Sequence, residues 1–172
     1  MAWAQVRSGG AVFLHRVAGL AVDGSRRLLH RAAGDEYWAL PGGRVHIGET
    51  AAEALRREMA EEIQVAVEVG RMIFVVENYF MDRPLDAPEG DDVESMVHHE
   101  VGLYHLMTLP ERFMETDSFS GVELPGTPDE FELEFRWFAA DEIMGMDVRP
   151  AVLRPHLARR LTDTVVALVQ RG

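Results

Sequence analysis

Glutamates at positions 58, 61 and 62 have the residue type and the spacing best suited to chemistry. Thr50 and Glu53 have the spacing of a capping box, which predicts a helix over residues 50–63. At about 100° per residue, the three carboxylates share an arc of roughly 100° on this helix. Carboxylate oxygens that converge in this way are ligands for Mg²⁺, with water and substrate phosphates completing its shell. An isolated acidic helix face is usually only solvated, so the neighbouring residues must decide between the two interpretations.

The neighbouring residues favour a binding site over a solvated face. Gly43, with a second glycine before it, allows a ligand to approach the backbone closely. Alanines on the acidic side of the helix leave room for that ligand, while leucine and methionine occupy the side predicted to be buried. Arg57 flanks the carboxylates and can form an ion pair with Glu49, Glu53 or Glu61. The sequence therefore predicts a cation site with a supporting ion pair.

At these fixed spacings the segment resembles the signature of the Nudix family. That signature is a Gly, five residues, a Glu, seven residues, Arg-Glu, an aliphatic residue, any residue, Glu-Glu, any residue, Gly and an aliphatic residue. In this chain the matching places hold Gly43, Glu49, Arg57, Glu58, Met59, Glu61, Glu62 and Val65. Gln64 stands where the family has its last glycine, which serves a left-handed turn out of the helix. This difference from the family signature affects how the chain leaves the helix, and it does not change the carboxylates.

The resemblance implies roles for individual residues. Glu58 and Glu62 are expected to be the principal metal ligands, and Glu61 a further ligand or the base that deprotonates the attacking water. The carbonyl of Gly43 is an additional candidate ligand. Glu49 and Arg57 are expected to form an ion pair that orients the acidic face. The implied cofactor is Mg²⁺, with Mn²⁺ as the alternative, because both ions take carboxylate and water oxygens.

The implied reaction is hydrolysis of a diphosphate bond in a nucleoside diphosphate linked to another group. An ADP-ribose-like sugar, a (d)NTP and a dinucleoside polyphosphate are all open as substrates. The alternative is a Nudix-like module that binds a nucleotide or regulates a partner without turnover. A homodimer is compatible with the resemblance, and nothing in the sequence decides for or against it.

Four residues beyond the fixed positions of this signature are further candidates. Glu100 lies in a predicted strand where alternation puts it on one side and His99 on the other. We interpret Glu100 as an added metal ligand or base, with a plain surface position as the alternative. Arg44, Glu77 and His99 are candidate substrate contacts. His15, His30, His105 and His156 are predicted to be ordinary strand or surface positions.

Length and composition limit the class of protein. The 172 residues suit a single domain, and the net charge of −12 argues against a partner of duplex nucleic acid. The absence of cysteine excludes disulfides and thiolate chemistry. No apolar run approaches the length of a membrane span, so we expect a cytoplasmic protein that does not bind a membrane.

The elements that must position these residues are read from periodicity and turn signals. They predict an α/β sandwich around a mixed sheet, with a helix at 50–63, a helical turn at 141–144 and a C-terminal helix at 150–170. The resemblance to the Nudix family implies the α/β/α form of this sandwich, in which helices cover both faces of the mixed central sheet. Segments 82–96 and 115–129 are predicted to be loops that select the substrate. Strands are predicted at 10–17, 26–31, 37–40, 65–81, 98–109 and 130–138.

Overall fold

The computed structural model describes residues 2–82, 96–128 and 130–172. Its main helix is α1 (Ala51–Glu62), and a short helix α2 (Arg154–Leu157) follows late in the chain. Single 3₁₀ turns occupy Glu111–Phe113, Ile143–Gly145 and Ala151–Leu153. The strands are β1 (Gln5–Ser8), β2 (Ala11–Asp23), β3 (Arg26–Ala32), β4 (Glu68–Asp82), β5 (Met96–Thr108), β6 (Ser118–Glu123), β7 (Phe131–Ala139) and β8 (Val166–Arg171).

The strands form one mixed sheet in the order β6-β7-β3-β2-β5-β4-β8, with β1 added alongside β2. The pairs β2–β5 and β4–β8 are parallel and the others are antiparallel. The predicted α/β architecture around a mixed sheet is therefore confirmed. No helix in the described part of the chain is long and apolar enough to cross a membrane.

The core divides into two clusters on opposite faces of β2. Val17 packs with Leu55 and Met59 of α1 in the first cluster. Ala18, the next residue along β2, packs with Leu157 of α2 in the second. Since successive side chains of a strand point to opposite faces, β2 separates the helix α1 from the C-terminal segment. This arrangement is the layered sandwich that the sequence predicted.

The prediction of a C-terminal helix over residues 150–170 is wrong beyond its first turns. Helical structure ends at Leu157, and the chain returns as β8, parallel to β4. Leu153 and Leu157 are fully buried, as expected for the apolar side of the predicted helix. The stretch Val165–Val169 instead alternates between exposed and half-buried side chains, as expected for a strand with a half-solvated face. The open edge of β4 supplies hydrogen bonds that outweigh the helical spacing of the apolar residues.

Two smaller predictions also change, and a third is not tested. Segment 115–129 is not one loop, because β6 lies inside it and pairs with β7. Residues 37–40 form isolated bridges, in which Ala39 pairs with His30 and Trp38 with Val148, rather than a full strand. Segment 83–95, which makes up nearly all of the other predicted loop, lies outside the described residues.

The helix α1 begins where the sequence predicted. Thr50 caps it, with its hydroxyl accepting a hydrogen bond from the Glu53 N–H at 3.3 Å. The Glu53 carboxylate accepts in return from the Thr50 N–H at 2.8 Å, which completes the capping box. Because both ends of the box are satisfied, the start of the helix and the angular position of its acids are well determined.

The segment before α1 runs along β2. The N–H of Val17 donates to the carbonyl of Gly43 at 2.9 Å, and the N–H of Gly19 donates to Pro41 at 2.8 Å. Gly42 has a φ of 144°, and a Cβ at this position would overlap the backbone of Val17. Glycine is required here because the two backbones are in direct contact.

The helix α1 ends in a left-handed residue that is not glycine. Gln64 has a φ of 55°, directly after the cap residue Ile63. The N–H of Val65 then donates back to the carbonyl of Met59 at 3.3 Å. The chain thus keeps the left-handed exit for which glycine is the usual residue, and it does so with a strained conformation.

Gln64→Gly is expected to raise the free energy of unfolding by about 1 kcal/mol, because it removes the left-handed strain. Urea denaturation of the wild type and the variant measures the difference. Gln64→Ala is the matched control, since it removes the same exposed side chain and keeps the unfavourable φ. Equal stability of the Gly and Ala variants would contradict the prediction.

Candidate active site

Glu58, Glu61 and Glu62 lie in the second half of α1, and two of these three glutamates are buried. Glu58 is 7% exposed and Glu62 is 4% exposed, beside the fully buried Leu55 and Met59. Glu61 is different, with a side chain that is 48% exposed. The helix therefore directs two carboxylates into the protein and leaves the third at the surface.

Glu62 is the most unusual of these groups. Both of its carboxylate oxygens are buried, and neither has a hydrogen-bond partner among the described residues. Burial raises the pKa of Glu62 well above its ordinary value, and the charges of Glu123 and Glu58 raise it further. Burial likewise raises the pKa of Glu58, although Arg57 opposes the shift. A bound cation would relieve both the desolvation and the repulsion.

Arg57 organises the acidic face. Its Nε donates to Glu49 at 2.8 Å and its Nη2 to the other oxygen of Glu49 at 3.0 Å. Its Nη1 donates to Glu58 at 2.9 Å and to Glu61 at 3.0 Å, and its Nη2 reaches the carbonyl of Arg44 at 2.9 Å. The predicted pair of Glu49 and Arg57 is therefore present, and it is the bidentate part of a larger network.

Glu49→Gln is expected to remove an acid-sensitive part of the stability. Hydrogen bonds from Arg57 lower the pKa of Glu49 from 4.5 to about 2. A lowered carboxyl pKa stabilises the fold above the unfolded value, and this contribution disappears as the pH falls from about 4.5 toward 2. Charge-assisted bonds of this kind contribute about 1.5–3 kcal/mol.

Urea denaturation of the wild type and Glu49→Gln at pH 7 and at pH 3 measures this effect. The variant should be less stable at pH 7, and the gap should narrow at pH 3. Glu36→Gln, at an exposed position, is the charge-matched control. A gap that is equally large at both pH values would contradict the prediction.

Gly43 lies against Glu58. A Cβ on Gly43 would overlap the carboxylate carbon and both carboxylate oxygens of Glu58. The carbonyl of Gly43 accepts one hydrogen bond, from the N–H of Val17 at 2.9 Å. A carbonyl oxygen has two lone pairs, so it retains the capacity to bind a cation.

Arg16 is a site residue that the sequence analysis missed. It lies in β2, and its Nη2 donates to the carbonyl of Gly42 at 2.9 Å. Burial alone would lower the pKa of Arg16, but the charges of Glu100, Glu62 and Glu58 raise it above its usual value. A charged residue among the apolar residues of 10–17 was the available signal.

Glu123, at the end of β6, was also missed because its segment was predicted to be a loop. A Cβ on Gly121 would come within 2.7 Å of the Glu62 carbonyl oxygen, so β6 packs directly on the end of α1. Glu123 lies two residues farther along and on the same face of the strand. Its charge acts on Glu58, Glu62 and Arg44. It adds a carboxylate from outside the helix.

Glu100 and His99 lie on opposite sides of β5, as the alternation of side chains along a strand predicted. Glu100 is buried in β5, in register with Leu14 of β2 and Asn78 of β4, on the side that faces Arg16. His99 lies on the opposite side of the sheet. It stacks on Tyr79 at 4.3 Å, and its Nε2 is 4.0 Å from Glu77. The structure therefore places Glu100 beside Arg16, whose charge also interacts with Glu62 and Glu58, and it leaves His99 and Glu77 on the other face.

Arg44 lies near the acids and packs on an aromatic ring. Its guanidinium is 3.6 Å from the ring centroid of Trp3. Its carbonyl accepts from Arg57, and the charge of Glu123 acts on its side chain. Arg44 is thus placed at the edge of the acidic cluster, where it can contact a phosphate group.

A cleft of about 510 Å³ has Arg16 in its lining, and the charge of Arg16 interacts with the buried acids of α1. Arg16, Glu100 and Tyr104 line it, together with residues of the C-terminal segment. The guanidinium of Arg149 lies 4.4 Å from the ring centroid of Tyr37. The other lining residues include Asn78, Asp147 and Gln170.

The donor set of this site fits a divalent cation. Within residues 2–82, 96–128 and 130–172, no three acidic or histidine side chains lie in ready metal-binding geometry. Arg57 engages Glu58 and Glu61, whereas both oxygens of Glu62 are buried without a partner. A buried carboxylate of this kind is the observation that supports the fit, because hard oxygen donors suit Mg²⁺ and Mn²⁺.

A family model described as the NUDIX domain matches residues 13–159, most of the chain. The chain belongs to the Nudix family. Nudix proteins are hydrolases that generally cut the pyrophosphate bond of nucleoside diphosphate derivatives and generally use a divalent metal. This protein is accordingly a Nudix pyrophosphohydrolase that acts on a nucleotide-like small molecule.

Solved structures of Nudix proteins share the fold. The chain is similar to a NUDIX hydrolase from Nitrosomonas europaea, with a TM-score of 0.54 and 17% identity over 91% of this chain and 77% of that chain. For UDP-X diphosphatase the TM-score is 0.53 and the identity 18%, over 94% and 69% of the two chains. For an ADP-ribose pyrophosphatase from Streptococcus suis the values are 0.51 and 14%, over 91% and 98%. No curated protein sequence matches the chain.

The Nudix segment corresponds to the loop and helix from Gly43 to Val65. The similarity to solved structures at these identities concerns the fold, so the roles of individual residues rest on the contacts in this chain. The charge of Arg16 interacts with Glu58, Glu62 and Glu100, and the charge of Glu123 acts on Glu58 and Glu62. The sequence analysis had singled out neither Arg16 nor Glu123.

Proposed function

We propose that this Nudix protein hydrolyses a diphosphate bond in a nucleoside diphosphate linked to another moiety, in a reaction that requires Mg²⁺. An ADP-ribose-like sugar and a (d)NTP are the two substrate types that the proposal retains. The buried carboxylate of Glu62, with both oxygens unpartnered among the described residues, carries the proposal. A fold keeps such a group only where something else compensates its charge.

Glu58 and Glu62 would hold the cation, and Glu61, Glu100 and the carbonyl of Gly43 are the remaining candidate ligands. A bound Mg²⁺ neutralises charge on phosphate oxygens and makes a water molecule a better nucleophile. Mn²⁺ is the alternative ion, since its preference for oxygen ligands is similar.

The residues of the chain position the reacting groups. Arg57 holds Glu58 and Glu61 in a fixed relation through one guanidinium nitrogen. Arg16 lines the cleft and brings a positive charge to it, with which it can bind a phosphate oxygen of the substrate. Water attacks one phosphorus, the bond from that phosphorus to the bridging oxygen breaks, and the proton of the water passes to a carboxylate. Glu61 and Glu100 are the candidates for this base.

The size and lining of the cleft support a nucleotide derivative as the substrate. Its volume of about 510 Å³ falls within the range of about 300–1,000 Å³ that is usual for small-molecule sites. Tyr37 and Arg149 offer an aromatic ring and a cation, and Asn78 and Gln170 offer amides for hydroxyl groups or a base. Arg44 is proposed as a further phosphate contact. Substrate contacts by Glu77 and His99 stay predictions, with both residues on the opposite face of the sheet.

The experiment is a hydrolysis screen against (d)NTPs, ADP-ribose, other nucleoside diphosphate sugars and dinucleoside polyphosphates. Each substrate is tested with Mg²⁺, with Mn²⁺ and with EDTA, for the wild type and Glu62→Gln. Glu68→Gln, at an exposed position at the start of β4, is the charge-matched control. We expect turnover that needs both the cation and Glu62 and is unchanged in the control.

Two other outcomes would overturn the proposal. Folded protein that binds a nucleotide but is inactive across the panel would indicate the nucleotide-binding or regulatory module instead. Turnover that persists in EDTA would remove the cation from the mechanism. A homodimer and a cytoplasmic location stay predictions and need separate measurements.

A further inference from the structure

His30 is buried in the middle of the sheet, beside the carboxylates. It lies in β3 and is 7% exposed. Its N–H donates to the carbonyl of Ala39 at 2.9 Å, and its own carbonyl accepts from the N–H of Ala39 at 2.9 Å. Its ring packs on Phe135 with centroids 5.3 Å apart. Backbone and ring are therefore both held in place.

The ring of His30 faces Glu62 with an unsatisfied nitrogen. Its Nδ1 is 3.9 Å from the Oε2 of Glu62. Among the described residues, neither this nitrogen nor either oxygen of Glu62 has a hydrogen-bond partner. A ring N–H is a donor and a carboxylate oxygen is an acceptor, so the two unsatisfied groups are complementary. The distance is longer than a direct hydrogen bond, and it is suited to one bridging water or to a small closure.

We propose that His30 is a positioning residue whose Nδ1–H holds the carboxylate of Glu62, directly or through one water, in the orientation that binds the cation. The inference rests on the proposed function and adds a residue from outside the Nudix segment. A leucine or phenylalanine would fill the same space in this core without an unsatisfied polar atom. A buried polar group left without a partner costs about 1–3 kcal/mol, so its presence calls for a partner.

Hydrogen bonds to the outer side of a ligand fix its orientation, and their loss typically weakens metal binding by about 10–100-fold. His30 is suited to this role because Phe135 and the backbone of Ala39 restrict its movement. Glu62 is the ligand with most need of such a contact, since Arg57 holds Glu58 but does not reach Glu62.

The test is the affinity for Mn²⁺ alone, measured by electron paramagnetic resonance without nucleotide. His30→Phe keeps the ring shape and removes the donor, and we expect it to weaken Mn²⁺ binding by about 10–100-fold. His30→Asn places an amide nitrogen where Nδ1 lies, and we expect affinity within about threefold of the wild type. Affinity that is unchanged in the Phe variant, or as poor in the Asn variant as in the Phe variant, would overturn the inference.

A second measurement on the wild type does not depend on any variant folding. Long-range ¹H–¹⁵N correlation spectra report which ring nitrogen carries the proton. We expect the Nδ1–H form of His30, both without metal and with Mg²⁺. A proton on Nε2 alone would overturn the inference.

Glu62→Gln separates this inference from the proposed function. Unchanged Mn²⁺ affinity in Glu62→Gln would show that Glu62 is not a cation ligand and would contradict the proposed function, whereas the spectra would still report on the proton of His30. Weakened binding in Glu62→Gln together with normal binding in His30→Phe would refute only the role of His30.

Discussion

Glu62→Gln is expected to lower kcat by at least about a hundredfold and, in the same protein without metal, to increase the stability of the fold. The loss of turnover follows from the loss of a charged ligand at the point where phosphate charge must be neutralised. The gain in stability follows from burial, because the wild type carries a carboxylate at 4% exposure with no hydrogen-bond partner among the described residues. Glu123 and Glu58 repel this buried charge more strongly than Arg16 attracts it, so its removal should raise the free energy of unfolding by about 1–3 kcal/mol.

The pH dependence of this gain has a definite sign. Burial, together with the charges of Glu123 and Glu58, raises the pKa of Glu62 above the ordinary value of 4.5. The folded state therefore binds the proton more tightly, and the metal-free wild type loses stability as the pH rises through and above 4.5. The variant lacks this titration, so its advantage should be small at pH 4 and larger at pH 7.

Thermal denaturation in EDTA at the two pH values measures the gain, and a hydrolysis assay with Mg²⁺ measures the loss. Glu68→Gln is the control for a change of one charge at an exposed position. A metal-free variant that melts below the wild type at pH 7 would show that Glu62 is compensated within the protein. Retention of more than about a tenth of the wild-type kcat would remove Glu62 from the essential ligands.

Gly43→Ala is expected to have the second large effect, a fall in kcat of about a hundredfold or more with the fold retained. A Cβ at this position would overlap the carboxylate of Glu58, which must then move away from its present position. The backbone of Gly43 is not in the left-handed region, so the substitution adds no backbone strain. The loss should come from misplacement of the ligand rather than from unfolding.

The matched control is Gly145→Ala, since an added Cβ there meets nothing within 4 Å and its φ is also outside the left-handed region. Kinetics and Mn²⁺ affinity of both variants should be measured together with their melting temperatures. We expect Gly43→Ala to bind Mn²⁺ more weakly, with a melting temperature close to that of the control. Wild-type kinetics in Gly43→Ala would show that Glu58 tolerates displacement and is not a principal ligand.

Several features of the site were determined by local sequence. The capping box set the start of α1, and the helical period then placed Glu58 and Glu62 on one side. The spacing of Glu49 and Arg57 predicted the ion pair that the structure contains. Strand alternation separated Glu100 from His99. Each of these features depends on residues within a few helical turns or along one strand. Periodicity in the sequence predicts structure over this range.

The sequence by itself determined the family, the architecture and the identity of the acidic helix, while the tertiary structure decided what surrounds the acids. The meeting of Arg16, His30 and Glu123 at Glu62 depends on two strands that precede α1 and on one strand, β6, that follows it by more than 50 residues. The exchange of the predicted C-terminal helix for β8 depended on the free edge of β4. The spacing of apolar residues alone does not distinguish a helix from a strand when such an edge is open. The strand is stabilised by hydrogen bonds to residues that lie far away in the sequence, outside the window in which the spacing is read.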